Sequence, residues 1–328
     1  MTAAEPILVD RATGAISGAK PHEWLALKLL RLAVIIMLPF HLFGFSYVCR
    51  LVRTLLPSRR KMIFQLDGDS RMLTDYCDAY WSVLLMPGFP YETENANLIA
   101  ASRDVDYGFI DGGANHGFWS ALVSGNAAGQ KPVVAIEAAS DTFDRLNQNR
   151  TLNNKRFVGL NRAIGAVSGE RVLIYGAKHE MRSTIAPDET TKPILDCISI
   201  SLDDVAAHSH FANISKFIVK LDVEGVEIAA MTAAKKLQNS DSVFLYEDHG
   251  SDRNHETTRH VMSALGMQVY WLGREEPAAK IIDVSQLNVI KRSRRFGYDF
   301  AASKSPFWVE RLDGLVHKQA YIKASVSA

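Results

Sequence analysis

Residues 109–120 read Phe109-Ile110-Asp111-Gly112-Gly113-Ala114-Asn115-His116-Gly117-Phe118-Trp119-Ser120. The pattern predicts a short buried strand, a glycine-rich turn and the first turn of a helix. Gly113 and Gly117 carry no Cβ, so the backbone can bend sharply there and a ligand can approach the main chain closely. The turn also directs the free N–H groups of the helix towards solvent, where they can meet a polar ligand.

A carboxylate stands at the end of the next predicted strand, where the apolar run Val133-Val134-Ala135-Ile136 ends in Glu137. An acid at this position of an α/β unit can accept hydrogen bonds from both ribose hydroxyls of a nucleoside. The spacing Asp-x-Gly-x-x-x-Gly lacks the third small residue that lets a helix close over a pyrophosphate. The two segments therefore predict a nucleoside ligand without phosphates, and S-adenosylmethionine is the favoured candidate.

Composition limits the alternatives. The chain has 328 residues, enough for one large domain or two, and a hydrophobic fraction of 47%, as expected of a globular protein. A net charge of +1 argues against an extended nucleic-acid surface. The cysteines Cys49, Cys77 and Cys197 lie far apart in the sequence, which suits a reducing compartment and forms neither a disulfide framework nor a metal site.

An apolar segment precedes the glycine turn. Residues 32–49 contain no Asp, Glu, Lys or Arg, and basic residues flank them on both sides. Such a run is at the lower limit for crossing a bilayer, and Pro39 would break the helix. We predict membrane association through residues 24–53, by a crossing or by a helix-break-helix in one leaflet, with the downstream domain on the cytoplasmic side. A buried core helix bent at the proline is the alternative.

The rest of the chain alternates between predicted strands and helices. Further strands are predicted at 157–160, 217–222, 242–247, 268–272 and 298–301. This alternation predicts an α/β fold with a mainly parallel, seven-stranded sheet and helices on both faces. Because ligands of such sheets lie beyond the carboxyl ends of the strands, we expect Asp111, Glu137, Asp222 and Glu247 to open onto one crevice.

Several segments match one family. They are Asp111 to Gly117, Ala135-Ile136-Glu137, Leu146-Asn147-Gln148-Asn149 with Leu152-Asn153, Ala163-Ile164-Gly165, Ser201-Leu202-Asp203, Lys220-Leu221-Asp222-Val223-Glu224-Gly225-Val226-Glu227 and Glu247-Asp248-His249. As a set they resemble the FkbM family of S-adenosylmethionine-dependent methyltransferases, over roughly residues 62 to 301. The chain departs from the family at Gly112, where a valine is usual, and at Ala138, where a proline is usual. Neither change removes a contacting group.

The resemblance implies a Rossmann-like class I methyltransferase fold and methyl transfer to oxygen, commonly on a sugar or a natural-product scaffold. It implies that Asp111, Gly113, Asn115 and Gly117 cradle the methionine part of the cofactor and that Glu137 binds the ribose. Ala163 would flank the adenine, and Asp222 would lie beside the methionine end and the acceptor. The corresponding domains are a disordered N-terminus (1–22), a membrane-associated apolar helical arm (23–61), an N-terminal cap (62–108), the methyltransferase domain (109–303) and a C-terminal tail (304–328).

An alcohol acceptor is a poor nucleophile until it begins to lose its proton, so a positioned base is expected. His249 is the first candidate because its unperturbed pKa lies near neutrality, and Asp222 and Glu247 are the alternatives. His249 could equally be a polar loop residue. A Mg²⁺ ion held by Asp222, Glu247 and Asp248 is a less favoured possibility.

The sequence thus predicts a membrane-associated O-methyltransferase that acts on a glycan or lipid-linked glycan. Three alternatives stay open. The acceptor could be a soluble secondary metabolite, with the N-terminal arm as a contact in a homodimer. The protein could be a non-catalytic cofactor-binding scaffold at the membrane. It could also be a nicotinamide oxidoreductase, which the glycine spacing disfavours.

Overall fold

The protein is a mixed α/β structure with one large, mostly parallel sheet and two smaller sheets. The computed structural model describes residues 5–176, 191–223, 225–274, 277–294 and 297–326, and side chains as far as residue 318. Its helices are α1 (Pro21–Met37), α2 (Phe45–Leu55), α3 (Thr93–Ala101), α4 (Phe118–Val123), α5 (Ser140–Leu152), α6 (Leu202–Ala206), α7 (Glu227–Ala233), α8 (Lys235–Gln238), α9 (Glu256–Ser263), α10 (Leu287–Ile290) and α11 (Pro306–Val326).

A small sheet begins the fold. Its strands are β1 (Ile7–Asp10), β2 (Ile16–Ser17), β3 (Lys61–Asp67) and β4 (Ser70–Asp75), in the order β2-β1-β3-β4. Where the sequence predicts a disordered N-terminus over residues 1–22, β1 pairs in parallel with β3 and buries Ile7 and Val9. This order comes from pairing with a strand more than fifty residues away in the sequence. Local composition does not show a contact of this kind.

The large sheet carries the candidate site. Its described strands are β5 (Gly108–Gly112), β6 (Val133–Glu137), β7 (Val158–Asn161), β11 (Lys216–Leu221), β12 (Asp241–Glu247), β13 (Gln268–Trp271), β14 (Ala279–Ile281) and β15 (Asp299–Ser303). They lie in the order β14-β13-β15-β12-β11-β5-β6-β7, with the five from β12 to β7 parallel. The prediction of seven strands omitted β14, a three-residue strand that forms an antiparallel pair with β13. A third sheet contains β8 (Ala163–Gly165), β9 (Arg171–Ile174) and β10 (Leu195–Ser201).

The apolar N-terminal segment is divided as predicted, since α1 ends at Met37, a 3-10 turn holds Pro39, and α2 begins at Phe45. It is not a separate apolar arm. Both helices bury one face in the core shared with β3 and β4, through Ala26, Leu27, Leu30, Val34, Phe45, Cys49 and Val52. The correction has a simple cause: an uninterrupted apolar run supplies both a core-facing and an outward-facing side of a helix. In the described part of the chain, no helix is long and apolar enough to cross a bilayer.

Candidate active site

The glycine-rich turn lies between β5 and α4, and its two glycines are required by close contacts. Gly113 has φ +75°, and a Cβ there would lie 1.8 Å from the carbonyl oxygen of Asp222. Gly117 has φ +83°, and its Cβ would lie 2.6 Å from Leu146 Cδ1. Both the left-handed backbone and the lack of space exclude larger residues. The turn therefore packs directly against the segment after β11.

Glu137 closes the turn from the next strand. Its carboxylate, 9% exposed as a residue, accepts N–H hydrogen bonds from Asn115 at 3.0 Å and Ala139 at 3.0 Å. The Asn161 side chain donates to the carbonyl oxygens of Glu137 and Ala138, both at 2.9 Å, and so joins the ends of β6 and β7. Ala163 is buried in a small cluster with Ile174 and Cys197, and Ala138 packs against that cluster. The structure thus places Asn115, Glu137 and Ala163 at one edge of the sheet.

Asp111 lies at the inner side of the turn and is 1% exposed. The Ser120 hydroxyl donates to its carboxylate at 2.5 Å. Burial raises the pKa of Asp111, although the ammonium of Lys220 and the Ser120 hydrogen bond act in the opposite direction. The carboxylate of Asp111 is therefore turned towards a charged interior that the sequence motif did not indicate.

That interior is organised around Lys220. This lysine is the penultimate residue of β11 and is 4% exposed. Its Nζ donates to Asp222 Oδ2 at 3.1 Å and lies 3.8 Å from Glu92 Oε2. Burial alone would lower the pKa of Lys220, but the carboxylates of Asp222, Glu92, Asp111 and Asp299 together raise it well above its ordinary value. We call these four carboxylates and Lys220 the lysine-centred cluster.

Glu92 is held in the lysine-centred cluster by a strained backbone. It has φ +41°, uncommon for a residue with a side chain. Its Oε2 accepts hydrogen bonds from Trp119 Nε1 at 2.5 Å and Asn95 Nδ2 at 2.8 Å. Strain of this kind persists where surrounding contacts fix the conformation, and it concentrates at functional sites. The sequence gives no local signal for this position of Glu92, because its partners Trp119 and Lys220 are distant in the chain.

Asp299 and Glu94 extend the negative charge beyond Glu92. Burial, followed by the charges of Glu92 and Glu94, raises the pKa of Asp299 well above its ordinary value. Burial also raises the pKa of Glu94, against the effect of Arg274, whose Nε lies 2.9 Å from Glu94 Oε1. Arg274 and Lys220 therefore offset only part of the negative charge that these side chains bring together.

A cavity of about 1110 Å³ opens beside this charged region. Its walls include Leu42 and Phe45 from the α1–α2 turn, Tyr80 and Glu92 from the segment before α3, and Arg274 from the loop after β13. Its volume is slightly above the range of about 300–1,000 Å³ that is usual for ligand sites. The cavity gives a molecule of that size access to the Glu92 side of the lysine-centred cluster.

The predicted base His249 lies on the loop after β12. It is exposed, and its Nδ1 is 2.6 Å from the Ser251 hydroxyl. Partial burial, followed by the charge of Lys291, lowers the pKa of His249. Glu247 is the last residue of β12, opposite Asp299 in the strand register, and its carboxylate lies against Gly297.

Asp248 faces the interior on the other side of this loop. Its carboxylate accepts hydrogen bonds from Lys291 Nζ at 2.5 Å and the Thr258 hydroxyl at 2.5 Å. Asp248 is thus engaged in a buried ion pair, which removes it from the possible Mg²⁺ site with Asp222 and Glu247. Among the residues that the structure describes, no group of three or more His, Cys, Asp or Glu is placed to hold a metal ion.

No protein-family model matches the chain, and no curated protein sequence matches it. Among solved structures, the chain is similar to the methyltransferase FkbM from Methylobacillus flagellatus KT, with 16% identity, a TM-score of 0.38, and coverage of 60% of this chain and 43% of that one. The alignment therefore spans less than half of that protein.

Two further similar structures are a precorrin-6y C5,15-methyltransferase from Geobacter metallireducens GS-15 and TYW2 from P. horikoshii in complex with MeSAdo. The first has 13% identity and a TM-score of 0.35, and covers 64% of this chain and 87% of that one. The second has 12% identity and a TM-score of 0.35, and covers 82% of this chain and 85% of that one. At these values the functional argument rests on the geometry of the site itself.

Proposed function

We propose that this protein is an S-adenosylmethionine-dependent O-methyltransferase with a Rossmann-like class I fold, a divergent relative of the FkbM family. The observation that carries the proposal is the junction of the Gly113–Gly117 turn with Glu137. The turn passes too close to the Asp222 carbonyl oxygen for any Cβ at Gly113, and the acid stands at the end of the adjacent parallel strand. A carboxylate at this position is what the ribose of a nucleoside without phosphates requires.

The residues at this edge suit the parts of the cofactor. Glu137 would bind the ribose, the turn from Asp111 to Gly117 would hold the methionine part, and Ala163 would flank the adenine. The cofactor supplies an electrophilic methyl group on a sulfonium. The protein's task is then to bring an acceptor oxygen into line with that methyl group and to exclude water.

Proton removal from the acceptor is assigned to a residue beyond the carboxyl ends of β11 and β12. His249 is our first candidate, because its lowered pKa keeps the imidazole neutral and able to accept a proton at pH 7. Asp222 and Glu247 are the alternatives. Asp222 is held by the ammonium of Lys220, which favours a role in orienting the acceptor.

The test of methyl transfer uses S-adenosylmethionine labelled in its methyl group and a membrane glycolipid extract. We expect base-stable label in the lipid fraction, as an ether requires, and its loss in Glu137→Ala. The matched control is Glu170→Ala, a change at an exposed carboxylate. Cofactor binding without transfer to any glycan or lipid would instead support the non-catalytic scaffold, and absence of cofactor binding would refute the proposal.

The acceptor we propose is a hydroxyl of a glycan or lipid-linked glycan at the cytoplasmic face of a membrane. The support is an exposed apolar surface, here called the outer face of α1 and α2. Among the described residues, eleven of the eighteen exposed large apolar side chains belong to it: Trp24, Leu25, Leu29, Leu32, Ile35, Ile36, Phe40, Phe43, Tyr47, Leu51 and Leu55. A surface of this kind on a folded protein marks an interaction site.

Charge favours an anionic lipid surface as the partner of the outer face. Arg50 and Arg53 on α2 and Arg59 just after it are exposed. The segment from residue 24 to 55 contains no acidic residue to oppose their charge. Apolar side chains beside a basic border are typical of helices that lie in the plane of a bilayer interface. The proposal is therefore binding to one leaflet, with no crossing.

Flotation with phosphatidylglycerol vesicles tests this binding. We expect the wild type to float with the vesicles and Leu32→Glu/Ile36→Glu to stay behind. The control is Ile282→Glu/Val289→Glu, which changes two exposed apolar side chains outside the outer face, 82% and 62% exposed. A wild type that stays behind, but forms a dimer that Leu32→Glu/Ile36→Glu dissociates, would identify a second copy as the partner instead.

A further inference from the structure

The cavity beside the lysine-centred cluster has one wall made by the turn that joins α1 and α2. Leu38, Leu42 and Phe45 contribute apolar side chains to that wall. Val83 and Phe89 line the cavity from the segment that precedes α3, so apolar groups approach it from two elements. This lining suits a hydrocarbon chain better than a sugar, which would leave its hydroxyl groups unpaired.

The cavity also has a polar lining, supplied by residues of the catalytic region. Glu92 and Thr93 contribute from the start of α3, and Arg274 contributes from the loop after β13. Glu92 lies 3.8 Å from Lys220, which in turn holds Asp222. A molecule in the cavity therefore reaches the same cluster that, under the proposed function, stands beside the methionine end of the cofactor.

The α1–α2 turn borders two surfaces at once. Leu38, Leu42 and Phe45 line the cavity, whereas Phe40 and Phe43, which alternate with them, are 70% and 71% exposed and belong to the outer face. The cavity wall and the proposed membrane surface are thus opposite sides of one short segment. A molecule resting among lipids at the outer face needs to pass only this turn to enter the cavity.

From these contacts we infer that the cavity is the acceptor site and that it binds an amphiphile, whose apolar chain lies against the α1–α2 turn and whose hydroxyl-bearing head meets Glu92. This inference rests on the proposed function, since it takes Asp222 to mark the reacting end. It selects the lipid-linked form of the proposed acceptor and adds that the protein itself binds the hydrocarbon chain.

The test uses dodecyl maltoside below its critical micelle concentration and maltose as the probe without a chain, by titration calorimetry. We expect saturable binding of dodecyl maltoside and at least tenfold weaker binding of maltose, because burial of the dodecyl chain stabilises the complex and maltose has no such chain. Equal binding of the two probes, or no binding of dodecyl maltoside, would overturn the inference.

Variants separate the cavity from the outer face. Ser46→Trp places an indole in the cavity from the first turn of α2, and Thr54→Trp places the same ring at an exposed position of the same helix. We expect Ser46→Trp to weaken dodecyl maltoside binding at least tenfold and Thr54→Trp to change it less than twofold. Ala79→Phe fills the cavity from another wall and should reproduce the first result. Binding unaffected by both filling variants would place the detergent outside the cavity.

S-adenosylmethionine binding, measured on the same samples, keeps this inference distinct from the proposed function. If all the variants bind the cofactor but Ser46→Trp and Ala79→Phe still bind dodecyl maltoside as the wild type does, the cavity inference fails and the methyltransferase proposal stands. If the wild type does not bind the cofactor, the proposed function fails, whatever the detergent does.

Discussion

Two buried lysines at the same edge of the large sheet have opposite surroundings. Lys291 is 0% exposed and donates to Asp248, to the carbonyl oxygen of Asp252 and to the ring of His255, within a set of groups that bond to one another. Lys220 is 4% exposed and faces several carboxylates, one of which, Glu92, lines an open cavity. Equal burial therefore does not imply an equal role. Lys291 closes a structural ion pair, and Lys220 holds charge where a ligand can reach it.

The largest expected effect is on stability, in Lys291→Met. Removing one partner of a buried ion pair leaves the Asp248 charge uncompensated, so the free energy of unfolding should fall by about 3–5 kcal/mol. Urea denaturation measures it. The affinity of the folded variant for the cofactor, measured by titration calorimetry, should stay within about threefold of the wild type. A stable Lys291→Met variant without cofactor binding would reverse the comparison.

Lys220→Met should show the complementary result. We expect kcat to fall by about 100-fold, because Glu92 and Asp222 lose the group that aligns them and misplacement by about 1 Å can cost this much. The loss of stability should be smaller than for Lys291→Met, since Asp111 and Asp299, whose pKa values burial already raises, can bind protons. The comparison would be contradicted if Lys220→Met unfolded at a lower urea concentration than Lys291→Met while its folded fraction kept the kcat of the wild type.

Asp299 gives the comparison a pH dependence. Because its pKa is raised in the folded protein, protonated Asp299 favours folding; that contribution is complete below its unfolded pKa and is lost as pH rises through the folded pKa. Asp299→Asn should remove this part of the pH dependence, so that stability falls by about 1 kcal/mol less between pH 4 and pH 8. Thermal unfolding across this range measures it, with Asp106→Asn at an exposed position as the control. Parallel curves for Asp299→Asn and the wild type would contradict the assignment.

The smallest expected effect concerns His249, the first candidate for the base. Partial burial, followed by the charge of Lys291, lowers the pKa of His249 below its ordinary value. If His249 is the base, kcat falls as pH drops through that lowered pKa, because the imidazolium cannot accept a proton. Proton NMR gives the titration, and the pH profile of kcat gives the consequence. An acid limb that persists unchanged in His249→Gln would assign the base to Asp222 or Glu247.

The two regions also show what the sequence could reveal. The turn at Asp111–Gly117 and the acid Glu137 were predicted because each lies in a contiguous segment whose glycine spacing and apolar run are visible locally. The alternation of strands and helices likewise predicted the large parallel sheet. These features depend on neighbours in the chain.

The lysine-centred cluster depends instead on long-range contacts. Glu92, Lys220 and Asp299 lie far apart in the sequence and meet only after the sheet is assembled. Lys220 lies two residues before Asp222 in a segment that matches the family, but nothing in the local sequence showed that Glu92, Asp111 and Asp299 would also surround it. The N-terminal helices were misjudged for a related reason, because residues 32–49 are apolar on both the core side and the outer side.

The central claim is that the Gly113–Gly117 turn and Glu137 form an S-adenosylmethionine site. Titration calorimetry of the full chain with S-adenosylmethionine and with NADH, repeated on Glu137→Ala, tests it most directly. We predict micromolar binding of S-adenosylmethionine, about 10- to 100-fold weaker in the variant as hydrogen bonds to a charged group are lost, and no binding of NADH. A well-folded protein that binds neither ligand, or NADH alone, would contradict the account.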